Sequence, residues 1–217
     1  MTVRVLIADD QSIVQAGLRV ILDTQPGIEV VGQAADGREA VALARELRPD
    51  VCLFDIRMPV LDGVEATRLL AGPDVEDPLA VVVITTFDTD AHVHGALKAG
   101  ARGFLLKGIR SEQIIEALHA AVHGDALIDP GVTARLLAAF SASGPSSAPA
   151  QPLEALTERE EEVLLTVARG LTNVEISAEL HISIGTVKFH LASLMTKLGT
   201  RNRVELVIWA YETRRVR

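Results

Sequence analysis

The segment VCLFDIRMPVLDG, which runs from Val51 to Gly63, joins a short apolar run to a single carboxylate. Four apolar residues lead to Asp55, and the run then stops at Met58-Pro59. Such a run is typical of a strand that is buried on both faces of a parallel sheet. Because an unpaired carboxylate is costly to bury, Asp55 must either face water at the edge of the sheet or be held there for chemistry.

Apolar runs like this one recur through the first half of the chain and alternate with helical patterns. In those patterns apolar residues lie three and four positions apart, as in Val14, Leu18, Ile21 and Leu22. This alternation predicts a parallel sheet covered by helices on both faces, that is, a doubly wound five-stranded α/β domain. The five runs cover residues 3–9, 29–34, 51–55, 80–86 and 103–107.

A change in composition separates this domain from a purely helical one. A further helix is predicted over about 129–140, and the stretch SASGPSSAPAQP (141–152) is typical of an interdomain linker. Capping boxes and Ser183 then predict four short helices that begin near 158, 173, 184 and 203. We therefore divide the chain into a first domain (1–125), a helix and flexible linker (126–152) and a small four-helix domain (153–217).

Composition and charge limit the possible partners of the chain. It has one cysteine and neither a signal-peptide pattern nor an apolar stretch long enough for a membrane span, so we expect a cytoplasmic protein with no membrane partner. The formal net charge is −8, but residues 181–217 carry 7 Lys or Arg and 2 Asp or Glu. A locally basic end permits contact with nucleic acid in an otherwise acidic chain.

Polar residues follow four of the five predicted strands. Asp9 and Asp10 follow the first, Asp55 follows the third, Thr85 ends the fourth and Lys107 ends the fifth. Each acid alone is more often a solvated strand end or a helix cap. Together they meet at one edge of a doubly wound sheet, where ligands bind. Three carboxylates and one ammonium leave a net charge of about −2, which favours Mg²⁺ as a cofactor.

The first ~125 residues resemble the receiver domain of two-component response regulators, a flavodoxin-like fold. The stretches that carry the resemblance are IADDQ (7–11), FDIRMPVLDG (54–63), ITT (84–86) and GFLLK (103–107). The resemblance implies that Asp55 accepts a phosphoryl group from a histidine kinase. It also implies a Mg²⁺ site at Asp10, Asp55 and the backbone carbonyl of Arg57, with Asp9 assisting through water. The chain would then promote only its own phosphotransfer and slow autodephosphorylation, and would not be an enzyme in the usual sense.

The same resemblance assigns a switch role to three further residues. Lys107 would pair with the phosphoryl oxygens, Thr85 would bond one of them, and Phe104 would be the aromatic residue that rotates on activation. Added phosphoryl charge at a site that already binds a cation gives a physical reason for Thr85 and Lys107 to move inward.

Residues 156–211 resemble the LuxR-type helix-turn-helix of the NarL/FixJ subfamily, which implies binding to promoter DNA. In the helix near 184–198, an apolar stripe that includes Val187 and Leu191 leaves other side chains exposed. The predicted DNA contacts are Thr186, Lys188, Phe189, Ala192, Lys197, Arg201 and Arg203, of which Lys197, Arg201 and Arg203 would contact phosphate. A four-helix interaction bundle without DNA is the competing interpretation.

The last helix contains apolar residues on nearly all sides and must bury two faces. One face would pack on its own domain, and the other predicts a homodimer that forms on phosphorylation. The predicted dimer residues are Val207, Trp209 and Tyr211.

Three other functions compete with a phosphorylation-controlled regulator. A haloacid-dehalogenase-like phosphatase also forms an aspartyl-phosphate, but it has a second acid two residues after the nucleophile, where this chain has Arg57. A flavin or dinucleotide module is disfavoured because the first strand ends in Asp9-Asp10 without a glycine loop. A receiver that responds to a ligand instead of phosphate is the third alternative.

Overall fold

The fold is that of a computed structural model of the 217-residue chain, which describes residues 2–86, 95–123, 127–128, 152–200, 202–213 and 215–216. The chain divides into two compact units, Met1–Val132 and Thr133–Arg217. The helix predicted over 129–140 and all but the last residue of the predicted linker lie outside the described residues.

The first unit is built on an all-parallel sheet with the strand order β2-β1-β3-β4-β5-β6. The five predicted strands are all present, so the doubly wound α/β prediction is confirmed. A sixth strand of two residues pairs with β5, in a segment that we had assigned to the region after the sheet. The strands are β1 (Val3–Ala8), β2 (Ile28–Ala34), β3 (Val51–Phe54), β4 (Ala80–Thr85), β5 (Gly103–Leu106) and β6 (Leu127–Ile128).

Helices cover both faces of this sheet. The described helices are α1 (Ser12–Asp23), α2 (Gly37–Leu47), α3 (Gly63–Ala71) and α4 (Ser111–Val122), and residues 95–98 are also helical. One core joins α1 and α4 to alternate strand residues such as Val5, Leu53 and Val82. Their neighbours Leu6, Phe54 and Val83 are also fully buried on the opposite face. Both faces of the sheet are buried, which explains why the strands are continuously apolar and do not alternate between polar and apolar residues.

The second unit contains the four predicted helices: α5 (Glu158–Ala168), α6 (Asn173–Leu180), α7 (Ile184–Leu198) and α8 (Arg203–Glu212). Thr157 and Thr172 form reciprocal capping boxes, and Ser183 and Asn202 accept hydrogen bonds from the first turns of α7 and α8. These caps stop each helix from extending the one before it. The core is a single apolar cluster drawn from all four helices. Within the described parts of both units, no helix is long and apolar enough to cross a membrane.

Candidate functional site

The carboxyl ends of β1, β3 and β5 bring three of the predicted site residues together. The Asp55 N–H donates to the Ala8 carbonyl at 2.8 Å, which fixes the end of β3 beside the end of β1. The Lys107 N–H donates to the Thr85 carbonyl at 2.7 Å and ties the end of β5 to β4. Parallel register therefore places Asp9, Asp55 and Lys107 at one edge of the sheet, as the sequence predicted.

Lys107 is the cationic centre of this cluster. Its Nζ lies 2.6 Å from Asp9 Oδ2 and 3.0 Å from Asp55 Oδ2, and only 11% of its side chain is exposed. Burial acts to lower the pKa of Lys107, but the neighbouring carboxylates of Asp9 and Asp55 outweigh it and raise that pKa above its ordinary value. The ammonium therefore stays charged between the two carboxylates.

The acidic residues fit a hard cation. One carboxylate oxygen from each of Asp9, Asp10 and Asp55 lies within 4.8 Å of the others, and Asp10 is exposed while Asp9 and Asp55 are buried. Asp9 Oδ2 is buried, and among the described residues it accepts no hydrogen bond of good geometry although Lys107 Nζ is near. An oxygen-only donor set of this kind, open to water on the Asp10 side, suits Mg²⁺.

The loop after β3 forms the open side of the cluster. Asp10, Arg57, Met58 and Pro59 are among the residues that line an open cavity of about 460 Å³. Arg57 thus lies beside the acidic residues, where its backbone carbonyl was predicted to act. Val60, the next residue after Pro59, has a φ of 67° and is 64% exposed. A β-branched residue in this left-handed conformation is strained.

Thr85 and Phe104, the predicted switch residues besides Lys107, occupy buried positions near this edge. Thr85 is 1% exposed at the end of β4, and Phe104 is fully buried in β5, beside Val83 of β4. The Phe104 ring therefore points into the sheet packing in this structure. Its predicted rotation would require it to leave that position.

Sequence reasoning missed the groups that orient the two buried carboxylates. The backbone N–H of Ile56 donates to Asp55 Oδ1 at 2.8 Å, and that of Gln11 donates to Asp9 Oδ1 at 3.0 Å. The side-chain amide of Gln15 donates to the backbone carbonyls of Asp9 and Ala34. Backbone donors carry no residue-type signal. Gln15 lies in the first turn of α1, one helical turn after the N-cap residue Gln11. This position was the one sequence feature that could have suggested its role.

In the second unit, α6, a short turn and α7 form the predicted helix-turn-helix. Val187, Leu191, Leu194 and Leu198 of α7 are buried, as predicted. Lys188, Phe189 and Ala192 are consequently exposed on the opposite side, and Phe189 is 69% exposed. Thr186 is only half-buried, and its hydroxyl lies 2.8 Å from Ser183 Oγ in the cap of the helix.

Two of the predicted phosphate contacts, Lys197 and Arg203, have partners inside the domain, and their role in DNA binding stays a prediction. Lys197 Nζ lies 2.8 Å from Glu160 Oε2 and is 18% exposed. Arg203 is 8% exposed, and its guanidinium donates to Asn173 Oδ1 at 2.7 Å and to the Leu171 carbonyl. A DNA phosphate would have to replace these partners. Arg201, the third predicted phosphate contact, lies outside the described residues.

The Glu160–Lys197 pair is a structural feature of this domain. Burial acts to raise the pKa of Glu160, but hydrogen bonds from Lys197, Ser193 and Thr157 lower it to about 2. Ser193 Oγ donates to Glu160 Oε1 at 2.6 Å, and Lys197 also reaches the Ala155 carbonyl at 3.3 Å. The carboxylate thus connects α5 to α7.

Trp209, predicted as a dimer residue, lies in the core of its own domain, and its part in a dimer stays a prediction. Trp209 is 5% exposed within the domain core, and the Arg215 guanidinium lies 5.0 Å from its ring centroid. Val207 and Tyr211 are partly buried against the same core, and the Tyr211 hydroxyl donates to the Ala168 carbonyl at 3.3 Å. Burial raises the pKa of Tyr211. Much of the apolar surface of α8 that we had assigned to a dimer partner is therefore buried against its own domain, where α8 packs on α5.

Comparison with known proteins accounts for both units. Residues 5–119 match the response regulator receiver domain family, and residues 154–210 match the luxR family of bacterial regulatory proteins. The chain is 40% identical to the transcriptional regulatory protein LiaR of Bacillus subtilis over 209 residues, which are 96% of this chain and 97% of LiaR. It is 38% identical to the response regulator protein VraR of Staphylococcus aureus over 214 residues, 98% of each chain.

Solved structures agree with these relatives. The crystal structure of ChrA, a response regulator in a heme-sensing two-component system, is 36% identical with a TM-score of 0.54, and the match covers 99% of each chain. The RcsB–DNA complex is 26% identical with a TM-score of 0.57, covering 98% of this chain and 99% of RcsB. These matches leave no support for a phosphatase or a dinucleotide module. The chain belongs to the NarL/FixJ-type response regulators, transcription regulators that join a receiver domain to a LuxR-type helix-turn-helix domain.

Proposed function

We propose that a sensor histidine kinase phosphorylates Asp55 in a Mg²⁺-dependent reaction, and that this modification controls binding of the second unit to promoter DNA. The observation that carries the proposal is the convergence of Asp9, Asp10, Asp55 and Lys107 at one edge of the sheet. Three carboxylates around one ammonium would repel each other without a further cation. A receiver that responds only to a ligand would not need this arrangement.

The residues present would divide the chemistry of phosphoryl transfer among them. A carboxylate oxygen of Asp55 attacks the phosphorus of the donor, and the bond from phosphorus to the leaving nitrogen breaks. Lys107, already 3.0 Å from Asp55 Oδ2, would then neutralise a phosphoryl oxygen. The Ile56 N–H holds the other Asp55 oxygen and limits rotation of the carboxylate. Bound Mg²⁺, held by Asp9, Asp10, Asp55 and the Arg57 carbonyl, would supply the remaining positive charge.

We propose further that α7 enters the major groove of DNA with Lys188, Phe189 and Ala192 toward the bases. Thr186, at the first turn of α7, would lie near the backbone. One such helix reads few base pairs, so useful affinity would need a homodimer on a two-fold related site. The solved structure of two RcsB dimers bound to two parallel DNAs, 26% identical to this chain, is a relevant precedent. The outer edges of Val207 and Tyr211 would contribute to the dimer contact, since both are only partly buried.

The phosphorylation proposal is tested by incubating the protein with Mg²⁺ and acetyl phosphate and measuring its intact mass. The wild type should gain one phosphoryl group that hydroxylamine removes, and a chelator or Asp55→Asn should prevent the gain. Asp74→Asn is the matched control, since Asp74 is exposed and outside the cluster. Normal phosphorylation of Asp55→Asn would refute the assignment. A gel-shift titration with and without the phosphodonor then tests whether the modification controls DNA binding.

A further inference from the structure

The exposed face of α7 has an unusual side-chain composition. Phe189 is 69% exposed, the largest exposed fraction for an aromatic ring among the described residues. Gly185, four residues before Phe189, and Ala192, three residues after it, are also exposed and form a stripe with it along this face. A Cβ on Gly185 would have only Ser183 Oγ nearby, at 3.6 Å. The ring therefore projects between two of the smallest residues. Neither of them is large enough to prevent the ring from contacting a ligand on this face of the helix.

Few charged side chains accompany this ring. Among the lysines and arginines that the structure describes in this unit, Arg159, Arg169, Lys197, Arg203 and Arg215 each hold a carboxylate, amide or carbonyl oxygen of the same unit. Lys188 is exposed and, within the described residues, forms no ion pair. The stripe Gly185–Phe189–Ala192 offers no side-chain hydrogen-bond donor or acceptor at all.

These observations limit what the stripe can recognise in DNA. In the major groove, adenine, guanine and cytosine are distinguished by polar atoms, whereas thymine also presents a C5 methyl group. A polar base edge placed against an apolar ring would lose its water without gaining a partner. We infer that Phe189 reads thymine methyl groups, so that the half-site of this regulator contains thymine beneath the ring, next to the base that Lys188 contacts. This inference rests on the proposed DNA-binding function.

The test removes the methyl group without changing base pairing. Full-length protein treated with phosphodonor is used to select duplexes from a random library. The selected duplex is then synthesised with uracil in place of thymine, one half-site position at a time. Wild-type protein should bind about three- to fourfold more weakly for each contacted methyl group that is lost. Phe189→Ala should bind the thymine duplex more weakly and no longer distinguish uracil from thymine, and Phe189→Leu should retain part of the discrimination.

Control measurements make each outcome decisive. Because Phe189 is mostly exposed, Phe189→Ala should leave the melting of the second unit unchanged, as monitored by the emission of Trp209, the one tryptophan in the chain. Lys188→Ala should weaken binding to the thymine and uracil duplexes by the same factor. Equal wild-type affinity for the two duplexes would overturn the inference while leaving the proposed function intact. Failure to select any duplex would instead contradict the proposed function. If Phe189→Ala altered self-association without DNA, the ring would belong to a protein contact and the inference would be wrong.

Discussion

A Cβ atom on Gly63 would lie 1.9 Å from the backbone carbonyl oxygen of Asp55. The first residue of α3 is thus pressed against the backbone of the proposed phosphoacceptor. The Gly63 N–H donates to the Ile56 carbonyl at 2.8 Å, and Asp62 caps the helix through the Glu65 N–H. The start of α3 therefore fixes the position of the loop that follows β3.

Gly63→Ala should accordingly destabilise the receiver and disturb its site together. Overpacking of this kind costs about 1–3 kcal/mol, and relief requires Asp55 or α3 to move. We expect a lower unfolding midpoint by circular dichroism and slower phosphorylation by acetyl phosphate. Gly17→Ala is the matched control, because a Cβ there meets nothing within 4 Å and Gly17 lies inside α1. That change should stabilise the domain by about 0.5–1 kcal/mol. Unchanged stability of Gly63→Ala would show that the loop adapts freely.

Val60→Gly should stabilise the same loop. A non-glycine residue in the left-handed conformation costs roughly 1–2 kcal/mol, and Val60 adopts it while 64% exposed, so little apolar burial is lost on substitution. The gain should be somewhat below that figure, because glycine also adds entropy to the unfolded chain. Urea denaturation of the two proteins measures it. A loss of stability would mean that the valine side chain makes a contribution larger than the strain.

Lys107→Met should separate the two roles of the ammonium. Loss of the cation changes the net charge of the cluster from about −2 to about −3. A unit charge ~4 Å away is worth several kcal/mol at an effective dielectric constant of ~20. Mg²⁺ should therefore bind at least about tenfold more tightly. Phosphorylation should nevertheless be slower, since Lys107 no longer neutralises a phosphoryl oxygen. Calorimetric melting with and without Mg²⁺ at constant ionic strength reports the first effect. A smaller Mg²⁺ stabilisation in Lys107→Met than in wild type would contradict it.

The sheet and its acidic edge could be predicted because both follow from local patterns. Buried parallel strands are apolar without interruption, and parallel strands bring their carboxyl ends to one edge. Asp9, Asp55 and Lys107 could thus be placed together from strand ends alone. The reason for Gly63 could not be predicted in the same way, because a glycine is favoured both in a turn and where two backbone segments approach closely. Only the 1.9 Å approach to the Asp55 carbonyl distinguishes them.

The intradomain partners of the basic residues could not be predicted, because a count of charges carries no information on tertiary contacts. Lys197 and Arg203 were assigned to phosphate, yet their partners Glu160 and Asn173 lie 37 and 30 residues away. Trp209 was assigned to a dimer because α8 has apolar residues on most sides. Helical periodicity does not reveal which of those sides meets α5.

The buried Glu160–Lys197 pair should make the second unit sensitive to acid. The folded-state pKa of Glu160 is lowered from 4.5 to about 2, so its contribution is present above pH 4.5 and is lost as the pH falls toward 2. A shift of this size corresponds to on the order of 3 kcal/mol. Glu160→Gln should be destabilised near neutral pH, and the difference from wild type should vanish toward pH 2. Trp209 emission during thermal unfolding measures this, with the exposed Glu154→Gln as control. A difference that persists undiminished at pH 2 would rule out the ionised carboxylate as its cause.

Arg203 and Lys188 should affect folding and DNA binding, respectively, although both belong to the basic end of the chain. Arg203→Ala removes the guanidinium that donates to the buried Asn173 oxygen and to the Leu171 carbonyl, and the loss of a buried hydrogen-bonded charge of this kind costs about 1–3 kcal/mol. It should therefore lower the melting temperature of the second unit. Lys188 is exposed, so Lys188→Ala should leave melting unchanged and weaken binding to the selected duplex by about 1–3 kcal/mol, the value of a base contact. Trp209 emission and fluorescence anisotropy measure the two effects on the same samples. If Arg203→Ala melted like the wild type and reduced only the salt dependence of DNA binding, Arg203 would be a phosphate contact after all.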